Sequence, residues 1–148
     1  VKAVLQRVRS ASVAIGGAEH ARIGPGLLVL LGVAAGDGDP DVAWMVRKVA
    51  GLRVFPDEAG KMNRSVAEAG GALLVVSQFT LLGDCRAGRR PGFSAAAAPD
   101  EGRRLYEAFL AVAAREAGVP VASGVFGADM LVALENDGPV TLIVDSRP

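Results

Sequence analysis

The side chains best placed to do chemistry follow an unbroken apolar run at residues 72–76, where Ser77, Gln78 and Thr80 continue the chain around Phe79. A strand buried along its length delivers such polar groups to one end of a sheet. Ser77, Gln78, Phe79 and Thr80 therefore form the candidate reaction site. Arg86, Arg89 and Arg90 come soon after, in a glycine-containing loop at residues 83–90. Three guanidinium groups at that spacing suit a phosphate held by charged, directional donors, and they equally suit a solvated hairpin.

Elimination narrows the chemistry. The single histidine, His20, sits in an expected turn beside Glu19, far along the chain from Ser77. A Ser-His-Asp triad or a histidine-rich metal site is thus disfavoured. No GxxxxGK[ST] loop occurs, and residues 24–32 lack the GxGxxG arrangement of a dinucleotide site. Asp37, Asp39 and Asp41 stand where solubility and helix capping account for them, so no metal is expected. Thr80 has no dedicated general base nearby in sequence, and a site here would lean on backbone N–H donors and on atoms of the substrate. Lys61, Asn63 and Arg64, in the polar loop at residues 57–64, could meet phosphate or face water.

The chain has 148 residues, 51% hydrophobic and 22% charged, enough for one folded domain over residues 1–148. Sixteen basic and sixteen acidic side chains cancel, so any polyanion must be held by a local patch. One cysteine, Cys85, excludes an intrachain disulfide and suits a reducing compartment. Apolar stretches such as residues 26–35 are too short to cross a bilayer, no secretion signal is evident at residues 1–9, and a cytoplasmic location is expected.

These groups need a scaffold. Residues 1–8 and 11–15 read as two short strands, with Gly16 and Gly17 turning into a third at residues 21–23. Residues 27–33 read as a central strand buried on both faces. Asp39 and Pro40 open a helix with Asp39 as the capping carboxylate, and Val42, Met45, Val46 and Val49 form its apolar stripe to about Gly51. Pro99 opens a second helix, with Leu105, Phe109 and Val112 facing inward and Gly118 closing it. Residues 121–126 and 129–134 read as extended, and residues 135–139 as a tight turn before a strand at 140–144. The predicted fold is α+β: a single domain of mainly antiparallel, barrel-like sheet layers with two helices packed on one side.

Ordered motifs run through nearly the whole chain: Ala3-Val4-Leu5-Gln6-Arg7-Val8, Ala11-Ser12-Val13, the run from Gly26 to Val33, Gly60-Lys61-Met62-Asn63, Ser77-Gln78-Phe79-Thr80-Leu81, Gly88-Arg89-Arg90-Pro91, Phe126-Gly127-Ala128-Asp129-Met130 and Asn136-Asp137-Gly138-Pro139-Val140-Thr141. In these the chain closely resembles the D-aminoacyl-tRNA deacylase family. The resemblance implies a homodimer that hydrolyses the ester of D-aminoacyl-tRNA, rejects L-aminoacyl-tRNA and can accept glycine. Its partner would be the aminoacylated acceptor end of tRNA, with no membrane, metal or organic cofactor involved.

The resemblance further implies that residues 77–80 line the catalytic pocket, and that Gly138 and Pro139 form a cis-proline motif inserted into the partner subunit's pocket. Arg7 would anchor that motif. Phe126, Ala128 and Met130 would lie near the adenosine or aminoacyl group, and Lys61, Arg86, Arg89 and Arg90 would be candidate tRNA contacts. Cys85 and Ala87 stand where a threonine and a lysine are common in the family, and Gly127 replaces an alanine of some relatives. A non-catalytic tRNA-binding homodimer is the alternative reading.

Overall fold

The computed structural model describes residues 1–148. Eleven elements succeed one another: β1 (Lys2–Ile15), β2 (Ala18–Ile23), β3 (Gly26–Gly32), α1 (Asp39–Gly51), β4 (Phe55–Pro56), β5 (Met62–Arg64), β6 (Ala72–Ser77), a 3-10 turn (Phe79–Leu82), α2 (Pro99–Glu116), β7 (Val121–Ser123) and β8 (Leu131–Asp145). The main sheet runs β2-β1-β3-β6-β7, with β8 also paired to β1, while β4 and β5 make a separate small hairpin. β1 is antiparallel to β2, β3 and β8. β6 is parallel to both β3 and β7. Parallel neighbours need a crossover, and α1 and α2 lie in the connections that supply it. The result is an α+β fold: a mixed sheet nearly closed into a barrel, with two packed helices.

The sequence pattern explains why the strands sit where they do. β3 is apolar on both faces because both are covered. Leu27, Val29 and Leu31 join Leu5, Leu73 and Val75 in the larger core with Val42, Met45, Val46 and Val49 of α1 and Leu105, Phe109 and Ala113 of α2. Leu28 points the other way, into a second cluster with Val8, Val13, Leu74 and Val76. Burying each of these leucines contributes about 1.5–3 kcal/mol, so the β3–β6 pair is a rigid base for whatever its ends carry.

Five expectations are corrected. Residues 1–8 and 11–15 form one strand, β1, whose pairing with β8 shifts register between Gln6 and Val8 and again between Val8 and Ser10. Those shifts break the alternation of buried positions, which is why the sequence reads as two strands. Residues 135–139 do not turn the chain back, because they lie inside β8, which keeps its direction along β1. The extended segment expected over residues 121–126 ends at Ser123, and a turn at residues 126–127 precedes the start of β8 at Leu131. The cap of α1 is Gly38, whose N–H is accepted at 2.9 Å by Asp41, not a cap by Asp39. His20, expected in a turn, lies exposed within β2.

Candidate active site

β6 ends at Ser77, and the chain bends at once into the 3-10 turn. This corrects the expectation that Thr80 continues the strand. The bend is held by two bonds: Gln78 N–H donates to Leu31 O at 2.8 Å, and Leu81 N–H to Gln78 O at 3.2 Å. The turn also sits hard against the end of β3. A Cβ on Gly32 would lie 2.7 Å from Leu82 Cδ2 and 2.9 Å from the Gln78 backbone oxygen, so only glycine allows this approach. The first internal bond of the turn starts at Leu81, and no side chain caps its beginning. The N–H groups of Phe79 and Thr80 thus lie ahead of the turn's own hydrogen bonds.

A cavity of about 610 Å³ opens beside this bend. Ser77, Gln78 and Phe79 form one wall, and Phe126, Ala128 and Met130 another. The cavity therefore brings together three of the four residues picked from the strand end and all three picked from residues 126–130. Thr80 is not on the wall. Its hydroxyl, on an exposed residue, accepts a hydrogen bond from the Gln78 side-chain amide.

Three further parts of the wall escaped sequence reasoning. Phe93, Ala96, Ala97 and Pro99 lead into α2, and Gly102 lies in its first turn. The run of small residues at 94–98 was the available signal, since small side chains leave space beside a strand end. Phe93 meets Phe79 edge to face with ring centroids 5.1 Å apart, fixing an otherwise exposed ring. Tyr106 packs 5.9 Å from Phe126 and donates its hydroxyl to Val75 O at 2.9 Å, tying α2 to β6; burial pushes its phenol up to about 12. Asp129 is the third addition, a carboxylate on a wall that is otherwise uncharged.

Gly138 and Pro139 lie elsewhere. Gln6 pairs with Thr141 and Val8 with Asn136, so residues 137–140 bulge out of β8 opposite the single residue Arg7. Arg7 fills the gap from behind, donating to Asp137 O at 3.0 Å and to Val54 O at 2.7 Å, with its side chain only 11% exposed. Gly138 has φ +121°, and a Cβ there would come within 2.7 Å of Arg7 Nη2. The Gly138–Pro139 peptide is cis, and both residues are exposed and absent from the cavity wall of their own chain.

The basic residues separate by how much of their charge is already used. Arg86 makes two bonds to Asp84, at 2.8 and 2.6 Å, which hold the Asp84 carboxyl below its usual range. Arg89 and Arg90 are exposed in the same loop, which is closed by paired backbone bonds between Asp84 and Gly92, and neither is in an ion pair. Lys61 is exposed in the connection between β4 and β5. No group of three or more His, Cys, Asp or Glu side chains is arranged to hold a metal ion, and no helix is long and apolar enough to cross a membrane.

A barrel-like mixed sheet with two crossover helices and an apolar cavity at the end of a parallel strand defines the class. The chain belongs to the D-Tyr-tRNA(Tyr) deacylase family, whose model matches residues 4–145. It is 56% identical over 147 residues to the D-aminoacyl-tRNA deacylase of Geobacter sulfurreducens, covering 99% of this chain and 96% of that one. It is 58% identical over 146 residues to the D-aminoacyl-tRNA deacylase of Thermus aquaticus, covering 99% and 95%. Among solved structures, one described as a c-Myc DNA unwinding element binding protein superposes over 100% of both chains with TM-score 0.93 and 40% identity. A probable eukaryotic D-amino acid tRNA deacylase covers 97% of both with TM-score 0.82 and 20% identity, a likeness of fold.

Proposed function

We propose that the protein hydrolyses the ester joining a D-amino acid to the terminal adenosine of tRNA, releasing the amino acid and free tRNA. The observation that carries this reading is the apolar cavity whose wall runs along residues 77–79 to the start of the 3-10 turn, which no side chain caps. Backbone N–H donors, fixed in advance, stabilise negative charge as it develops on an ester carbonyl oxygen. Water adds to the carbonyl carbon, the bond to the ribose oxygen breaks, and that oxygen leaves with a proton. With no base beside Thr80, the adjacent ribose hydroxyl of the substrate positions the water, and Thr80 is not the nucleophile.

Selectivity is assigned to Gly138 and Pro139 of a second copy. In a homodimer their backbone enters the neighbouring cavity, meets the chiral centre and collides with an L side chain; glycine, with none, is accepted. The bulge at residues 137–140, braced by Arg7 and absent from its own chain's cavity wall, supports that delivery. Arg89, Arg90 and Lys61 are assigned to phosphates of the acceptor end, with Arg86 weaker because Asp84 already occupies it. A cytoplasmic site of action belongs to the same reading.

Turnover of matched D-, L- and glycyl-tRNAs tests it. The expected result is cleavage of the D and glycyl esters with the L ester left intact. Binding of all three without release of amino acid would replace this reading with a non-catalytic tRNA-binding homodimer.

A further inference from the structure

We propose that Phe93 is a positioning residue for the ester cleavage: its ring pins both ends of the 3-10 turn and so fixes where the Phe79 and Thr80 N–H groups stand. The inference rests on the reading that backbone N–H groups at the start of this turn polarise the ester carbonyl. None of the turn's four residues is buried, and Phe79 is 55% exposed, so core burial alone does not hold it. At the start of the turn the Phe93 ring meets the Phe79 ring edge to face, the planes crossing at 64°. At its end, a Cβ on Gly83 would lie 3.1 Å from Phe93 Cε1, so the same ring sits over the backbone of the capping residue. One side chain outside the turn thus reaches both of its ends.

Phe93 is itself held on a frame. The residue before it, Gly92, exchanges both backbone bonds with Asp84, at 2.7 and 2.9 Å. After it, Ala96 N–H donates to Phe93 O at 3.1 Å, and Ala97 N–H to Val33 O and Ala35 N–H to Ala95 O, both at 2.9 Å. Those bonds tie the Phe93 segment to the chain just beyond β3, and Leu31 of β3 accepts the Gln78 N–H. Ring and turn are therefore anchored to the same strand end, and the edge-to-face contact removes the freedom left between them. Donors that stabilise charge in a transition state owe their effect to being fixed beforehand, so the contact acts on the chemical step. A ring that instead bound substrate would act on KM.

Steady-state kinetics on one D-aminoacyl-tRNA and amide hydrogen exchange test this. Phe93→Leu should lower kcat about tenfold, the upper end for one aromatic pair, with KM changing by less than about twofold because ground-state contacts are kept. Exchange at the Leu81 and Gly83 N–H groups, which make the two bonds of the turn, should quicken while exchange in β6 is unaltered. Phe93→Tyr, which keeps the ring, should restore kcat. Phe93 belongs to neither buried cluster, so these variants are expected to fold, and Phe93→Met is used where the leucine variant does not. A loss carried in KM, or a kcat or a turn exchange that does not change, would overturn the assignment. Wild-type protein that leaves the ester intact would sink the underlying site reading, whereas wild-type cleavage with kcat indifferent to Phe93→Leu would sink the role of Phe93 alone.

Discussion

The cavity wall at the end of β6 and the bulge at residues 137–140 are built on opposite principles. The wall is made by subtraction: β6 stops, Gly32 clears room, and small residues ahead of α2 leave a space. The bulge is made by addition: surplus residues opposite Arg7 are pushed outward and braced by its guanidinium. The wall is built from one chain, whereas Gly138 and Pro139 of the bulge lie exposed and absent from that wall. Together they divide the proposed reaction into a carbonyl-polarising half and a selecting half.

Breaking the brace should have the largest effect. Gly138→Ala places a side chain at φ +121° and within 2.7 Å of Arg7 Nη2. Strain of this kind costs about 1–3 kcal/mol, and misplacement near the ångström scale costs on the order of a hundredfold in rate. The expected outcome is a folded protein with a lower melting temperature and a loss of D-aminoacyl-tRNA turnover of about that size. Unchanged turnover would detach the bulge from the reaction.

Crowding the wall should do less. Gly32→Ala presses on the Gln78 backbone and on Leu82, whose flexible end can give way. Overpacking costs about 1–3 kcal/mol, and the smaller shift of the Phe79 and Thr80 N–H groups should reduce kcat about tenfold with little change in KM, since it acts on charge that develops only in the transition state. Steady-state kinetics on one D-aminoacyl-tRNA would check the split. A rise in KM alone would mean that the wall binds substrate without polarising it.

The two regions also differed in how openly the sequence displayed them. The stripe at Val42, Met45, Val46 and Val49, the start of α2 at Pro99 and the double burial of residues 27–31 were legible because local pattern and tertiary role agree. Residues 77–79 were legible as polar groups ending an apolar run. Residues 135–139 carry turn chemistry, but the structure spends it on a bulge, and only the pairing of β8 with β1 decides between the two. Arg9 and Ser10 likewise mark a register shift that looks like a strand end. Asp129 had no local signal at all, since its distinction is to be the one charged group on a wall assembled from four separate segments.

The division of labour is tested most directly by mixing subunits. Gly138→Ala and Gly32→Ala chains carrying different tags are co-expressed, the doubly tagged dimer is isolated, and turnover of one D-aminoacyl-tRNA is compared with each parent dimer. In the mixed dimer one site combines an unaltered wall with an unaltered bulge, so activity should recover to about half that of wild type, as expected when one of two independent sites is intact. A mixed dimer no more active than its parents would contradict delivery of Gly138 and Pro139 across the interface.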